Sequence, residues 1–162
     1  MISRVATGAD AAAIAVIYND GIADRIATFE TRPRTTDEVR AWFDGRHPVV
    51  VVEEDGRIVA FASTSTYRPR DCYSGIAEFS VYTGRDGRRR GYGRAALEAL
   101  FVEAERAGFW KLVSRVFVEN TASRALLAQT GFREVGVYQR HGRLDGRWRD
   151  VVIVEKLLGP AA

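Results

Sequence analysis

The sequence has few of the features that mark several large protein classes. It has one cysteine, Cys72, so no internal disulfide can form, which fits a reducing compartment. No apolar run approaches the ~20 residues of a membrane span. The opening MISRVATGAD has no apolar signal core, so export is not expected and a cytoplasmic location is. Lysine occurs only at Lys111 and Lys156, so nearly all of the 24 basic residues are arginine, a bias read first as compositional. Against 21 acids they leave a net charge of only +3, too little to argue for nucleic acid, and no interleaved aromatic pattern supports it. There is no internal repeat, low-complexity tract or linker.

What remains is an ordinary globular composition: 162 residues, 46% hydrophobic and 28% charged, suited to one domain spanning residues 1–162. Ile2 to Val5 reads as a short strand. Thr7-x-x-Asp10 is a capping-box variant before a helix through Ile14, Ile17 and Tyr18, with Gly21 as its stop. Residues 22–34 read as loop. Thr35-x-x-Glu38 opens a second helix through Val39, Trp42 and Phe43. Val49 to Val52 and Arg57 to Ser65 form a hairpin about Asp55-Gly56. After the loop Tyr67 to Gly75 come a strand, Ile76 to Tyr82, and a helix, Gly93 to Ala107, burying Leu97, Leu100, Phe101 and Ala104. Lys111 to Val118 is a strand, and Asn120 caps a helix to about residue 130. Phe132 to Tyr138 and Trp148 to Leu157 form a last hairpin, with Asp145-Gly146 near its turn. Val151 to Val154 is apolar without alternation, as in a strand buried on both faces. The order predicts an α/β (α+β) fold: a mixed, mostly antiparallel sheet with helices on both faces.

The informative stretch is Ile76 to Ala96. An apolar strand carrying one acid, Glu78, enters a Gly- and Arg-rich turn, Gly84 to Gly93, and then a helix. The first amides of a helix lack partners and carry partial positive charge, so this is an anion-binding device. Gly91 and Gly93 allow close backbone approach, and Arg88, Arg89, Arg90 and Arg94 add full charge. Neither the nucleotide loop Gly-x-x-x-x-Gly-Lys-Ser/Thr nor the dinucleotide fingerprint Gly-x-Gly-x-x-Gly is present. The pattern Arg88-x-x-Gly91-x-Gly93 instead resembles the acyl-CoA signature of the GNAT superfamily of N-acetyltransferases, whose element order also agrees with this chain.

Within that superfamily the chain resembles the phosphinothricin and arsinothricin N-acetyltransferases. The matching pieces are Ile17-Tyr18-Asn19, Ala27 to Thr31, Tyr67-Arg68-Pro69-Arg70 with Tyr73, Glu78 with Ser80-Val81-Tyr82, Arg88 to Gly93, Asn120 with Ala122-Ser123, Gly131-Phe132 and Gly146 to Val151. The resemblance implies acetyl transfer from acetyl-CoA, with no metal, to the α-amine of a small amino acid. Its side chain ends in a tetrahedral group, as in phosphinothricin, arsinothricin or methionine sulfoximine. That is a detoxification or resistance reaction, in family members that are commonly homodimers. Glu78 is implied as the general base, acting through water, and its apolar strand is a setting that raises a carboxyl pKa. Val81 and Tyr82 are implied to offer backbone to the thioester and its pantetheine arm. Arg88, Arg89, Arg90, Gly91, Tyr92, Gly93 and Arg94 are implied to hold the pyrophosphate, and Asn120 and Ser123 the amide arm. Phe29, Glu30, Arg68, Arg70 and Tyr73 are implied to bind substrate.

Each position also has a plainer reading. Glu78 can be a surface strand acid paired to an arginine, Arg68 and Arg70 solvated loop residues, Phe29 core, Asn120 an N-cap alone, and Cys72 a packed or idle thiol. One departure stands out: Leu127 occupies the place where many relatives carry Tyr or His as a general acid. Tyr138 or His141 could substitute, or the thiolate could leave unassisted. Two other functions fit the same residues: acetylation of another amine (an ordinary amino acid, a polyamine or a protein N-terminus), and a CoA- or anion-binding module without chemistry.

Overall fold

The structure, a computed structural model, describes all residues from Met1 to Ala162. Seven strands form one sheet: β1 (Ile2–Val5), β2 (Val49–Glu54), β3 (Arg57–Thr66), β4 (Ile76–Thr83), β5 (Lys111–Phe117), β6 (Arg133–Leu144) and β7 (Arg147–Leu157). Their spatial order is β1-β2-β3-β4-β5-β7-β6. Every neighbouring pair is antiparallel except β4 and β5, which run parallel. Four helices, α1 (Ala11–Asp24), α2 (Thr36–Arg40), α3 (Tyr92–Arg106) and α4 (Thr121–Gln129), cover the sheet. None is long and apolar enough to cross a membrane.

The two-residue period of β2 sorts its valines between two cores. Val50 and Val52 meet Leu97 and Leu100 of α3, while Val49 and Val51 meet Ile14 and Ile17 of α1 and Val39 of α2. Helices therefore lie on both faces, as the element order predicts. The continuous apolar run of β2 is explained by this double cover. Val151, Val152 and Val154 of β7 are likewise buried. Leu97 and Leu100 are fully buried, so truncating either to alanine would cost about 2–5 kcal/mol.

Both hairpin turns form where Asp-Gly marks them. Asp55 and Gly56 have φ of 50° and 75°, and Asp145 and Gly146 have 51° and 76°, the positive pair of a type I′ turn that matches strand twist. Thr35 Oγ1 accepts from the Glu38 amide at 3.1 Å and Glu38 Oε1 accepts from the Thr35 amide at 3.3 Å, closing the expected capping box.

Four expectations are corrected. Gly21 does not stop α1, which runs on to Asp24 and ends at Arg25 in the left-handed region, φ 58°. Glycine is there because a Cβ would lie 2.7 Å from the Tyr82 ring. The second helix ends at Arg40, so Trp42 and Phe43 pack on the α1 core from a turn. Strand β6 passes Tyr138 and reaches Leu144 across a bulge between Tyr138 and Gly142. Phe101, expected buried, is half-buried against the α3 core.

The feature that positions the site is a parting of strands. β4 and β5 pair only over Ile76↔Lys111, Ala77↔Leu112 and Glu78↔Val113. Beyond Glu78, β4 stays paired with β3 as far as Ala60↔Thr83, while β5 follows β7. The edge of β4 facing β5 is thus left without a strand partner. The Ser114 hydroxyl donates to the Phe79 carbonyl at 3.0 Å across the gap.

Candidate active site

A cavity of about 530 Å³ fills the gap between β4 and β5. Glu78, Phe79, Ser80, Val81 and Tyr82 form one wall, Ser114, Arg115, Val116 and Phe117 the other, and Phe29, Glu30, Asn120, Ser123, Leu127 and His141 complete it. Seven residues of the expected set, Phe29, Glu30, Glu78, Val81, Tyr82, Asn120 and Ser123, thus share one space with the departing Leu127.

Glu78 sits at the apex, the last residue of β4 paired to β5. It is not sealed in apolar surroundings as its strand suggests: its side chain is 33% exposed and Oε1 accepts from Arg115 Nη2 at 3.2 Å. The plainer reading, a strand acid paired with an arginine, is therefore present in the geometry. Arg115 Nη1 also lies 3.4 Å from His141 Nε2, and the His141 ring packs on Tyr138 at 4.7 Å. Arg115 was not among the expected site residues. The signal for it was available: a lone charge in the run Leu112 to Val118, the same kind of signal that singled out Glu78.

Phe29 takes both of its readings. It lines the cavity and packs edge-on against Phe117, ring centroids 4.8 Å apart. Gly142 is forced to be glycine by it, since a Cβ there would meet the ring at 2.7 Å. Glu30 pairs with Arg34 at 2.6 Å. Asn120 caps α4, its Oδ1 accepting from the Ser123 amide at 3.2 Å, and its Nδ2 donates to the Ile26 carbonyl at 3.1 Å. Tyr82 stacks on Phe61 at 5.5 Å, and burial pushes its phenol well above the usual range. Leu127 is buried in the core and offers no proton.

The glycine-rich turn begins where β4 ends, outside the cavity wall. Gly91 has φ 81° and directly precedes α3. The first intrahelical bond is from the Ala95 amide to the Gly91 carbonyl, 3.1 Å. The amides of Tyr92, Gly93 and Arg94 are therefore unpaired within the helix. Gly93 is small for packing: a Cβ would meet Leu126 of α4 at 3.1 Å. The charges divide unequally. Arg88 is clasped by Asp24 at 2.6 Å, beside Arg85 at 2.7 Å. Arg85 and Arg88 together hold the Asp24 carboxyl below its usual range. Arg94 pairs with Glu98 at 2.9 Å. Arg89 and Arg90 have no ion-pair partner and are the free cations of the turn. The Tyr92 side chain is only 5% exposed, in the core, so what it can offer a cofactor is its amide.

Arg68, Arg70 and Tyr73 are not in the cavity. They line a separate cleft of about 260 Å³ with Arg46 and His47, on the loop before β4. Arg68 lies over the Tyr67 ring at 5.0 Å and Arg70 over Tyr73 at 6.0 Å. Cys72, on the same loop, is exposed.

The geometry asks for a particular ligand. Five residues of strand separate Glu78 from Thr83, about 17 Å at ~3.3 Å per residue. A partner that uses both ends must carry an anion at the turn and its reactive group near Glu78. Between them it needs an arm that can hydrogen-bond to an open strand edge.

Comparison with known proteins agrees. Residues 16–132 match the family model described as Acetyltransferase (GNAT) family. The chain is 35% identical over 160 residues to the phosphinothricin N-acetyltransferase of Alcaligenes faecalis, covering 96% of this chain and 81% of that protein. It is 32% identical over 162 residues to the L-methionine sulfoximine/L-methionine sulfone acetyltransferase of Pseudomonas aeruginosa, covering 97% and 94%. The solved structure of yncA from Salmonella typhimurium with its cofactor acetyl-CoA superposes with a TM-score of 0.93 at 33% identity, covering 99% of this chain and 95% of that one.

Proposed function

The chain belongs to the acetyltransferase (GNAT) family, and from that premise we propose that it transfers acetyl from acetyl-CoA to the α-amine of a small amino acid whose side chain ends in a tetrahedral group. Phosphinothricin, arsinothricin, methionine sulfoximine and methionine sulfone are the substrate type. The observation that carries this reading is the parting of β4 from β5 at Glu78, with an anion-binding turn one strand length away.

The residues present fit the cosubstrate. The unpaired amides of Tyr92, Gly93 and Arg94, with Arg89 and Arg90, suit a pyrophosphate. The open edge of β4 suits a chain of amides, and a backbone N–H near Val81 suits the thioester oxygen as charge develops on it. One such donor contributes about 10²–10³-fold. Acetyl-CoA supplies the acetyl group: the amine nitrogen bonds to the acyl carbon, the carbon–sulfur bond breaks, the thiolate leaves, and the nitrogen's second proton goes to solvent, balancing as amide and CoA thiol. Glu78, as carboxylate, takes the ammonium proton through water before attack, worth about 10²–10⁴-fold. Leu127 provides no acid, so the thiolate departs without a proton from α4. Phe29 and Glu30 wall the substrate, while Arg68, Arg70 and Tyr73 line the separate cleft and take no part in the cavity.

The assembly proposed is a homodimer. Its support is β6, an edge strand exposed over most of its length, with Val137 at 52% and Tyr138 at 51% exposure. Such an edge is normally covered. Sedimentation of purified protein at two concentrations tests it.

The function is tested by a thiol-release assay with acetyl-CoA over phosphinothricin, arsinothricin, methionine sulfoximine and methionine sulfone. The panel is completed by ordinary amino acids, spermidine and an N-terminal peptide. Turnover concentrated in the first four supports the reading; turnover confined to the others replaces the acceptor; none at all overturns it.

A further inference from the structure

Resting on that reading, we propose that Arg115 is the receptor for the substrate's α-carboxylate and the residue that makes the enzyme select free α-amino acids over other amines. The structure brings Arg115 to this position through strand register. Glu78 pairs with Val113, and Arg115 lies two residues further along β5 on the same face, just past the point where β4 departs. Its guanidinium lines the cavity beside the base. It lines the cavity with Glu78 and His141, and its side chain is 48% exposed.

Its donors are only partly used. One terminal nitrogen reaches Glu78 at 3.2 Å, and the other lies 3.4 Å from a ring nitrogen of His141. A guanidinium has five N–H donors in a planar fork that suits a carboxylate, so capacity remains for an incoming anion.

The chemistry of an α-amino acid supplies the rest. Amine and carboxylate are attached to the same carbon, so a site that deprotonates the amine must hold the carboxylate immediately beside the base. Arg115 is the guanidinium in contact with Glu78, and the separate cleft places Arg68 and Arg70 elsewhere. Of these arginines, Arg115 alone is in the cavity to take the α-carboxylate. On binding, the substrate carboxylate shares the Arg115 fork that Glu78 and His141 contact in the free enzyme.

The test compares L-methionine sulfone with its α-carboxamide and with 3-(methylsulfonyl)propylamine, using wild type, Arg115→Met and Arg115→Lys. For each substrate the variant is divided by wild type, which cancels the amine's own basicity. Wild type should favour the acid, and Arg115→Met should lower kcat/KM for the acid by about 10–100-fold, the size expected for lost charged hydrogen bonds. Its kcat/KM for the carboxamide and the amine should change by a smaller, common factor, the effect of removing the Glu78 ion pair, so that the preference for the acid falls, with Arg115→Lys intermediate on the acid. CoA affinity, measured by calorimetry, should be the same in all three proteins and reports that the variants are folded. If all three substrates lose activity by the same factor, Arg115 serves only Glu78 and the assignment fails. It fails equally if the preference for the acid survives in Arg115→Met or is absent from wild type. A wild-type enzyme that acetylates none of the three, nor any member of the wider panel, overturns the function itself, a result distinct from loss of discrimination.

Discussion

The ring of Tyr82 on β4 occupies the space that a side chain on Gly21 of α1 would need. A Cβ on Gly21 would lie 2.7 Å from Cδ1 and Cε1 of that ring. The ring cannot easily yield, because it stacks on Phe61 at 5.5 Å and meets Tyr18 edge-on at 5.2 Å. A helix glycine is thus set by packing against the strand that lines the site.

Gly21→Ala brings two effects into opposition. Alanine improves helix propensity by about 0.8–1 kcal/mol, while overpacking a filled core costs about 1–3 kcal/mol. Overpacking should win, and the variant should be less stable by denaturant midpoint. A more stable variant would mean that Tyr82 moves freely.

Acid should weaken the β1–α1 corner. Both carboxylate oxygens of Asp10 accept from Arg4, at 2.8 and 2.9 Å, and one accepts from the Thr7 amide at 2.8 Å. The Arg4 hydrogen bonds hold the Asp10 carboxyl below its usual range. A depressed folded-state pKa stabilises above the unfolded value, ~3.9, and that stabilisation is lost as pH falls through the folded value. Asp10→Asn should therefore lower stability at pH 7 by about 0.5–2 kcal/mol, as for lost caps. It should also flatten the decline in stability below about pH 4. Urea midpoints from pH 7 down to pH 3 check both.

Gly91 is the turn residue whose backbone alone is demanding. No atom lies within 4 Å of its missing Cβ, but its φ is 81°. Gly91→Ala should cost about 1–3 kcal/mol of strain, at the turn or in the whole fold. It should also weaken CoA binding by displacing the amides that follow. Calorimetric titration with CoA, beside a thermal melt, checks both effects; unaltered CoA affinity would remove the turn from the pyrophosphate site.

Much of this was legible in the sequence where the cause is local. Asp-Gly marked both hairpin turns, Thr35 and Glu38 marked a helix start, and Arg88 to Gly93 marked the turn before α3. Glu78 stood out as a charge in an apolar strand, and the structure brings it into one cavity with Val81, Asn120 and Ser123. What was not legible depends on partners far along the chain. Gly21 looked like a helix stop because its constraint, Tyr82, belongs to β4. Arg88 looked free, but Asp24 clasps it. Arg68 and Arg70 looked like neighbours of Glu78 because they precede it closely, yet their loop opens into its own cleft. Arg115 joined Glu78 only through the parallel register of β4 and β5.

The measurement that tests the account most directly is single-turnover acetyl transfer by Glu78→Gln, with CoA affinity measured on the same protein. The account predicts a rate lower by about 10²–10⁴-fold with CoA affinity unchanged, because Glu78 stands about 17 Å from the anion turn. Undiminished turnover in Glu78→Gln would contradict it, leaving Glu78 no more than the ion-pair partner of Arg115.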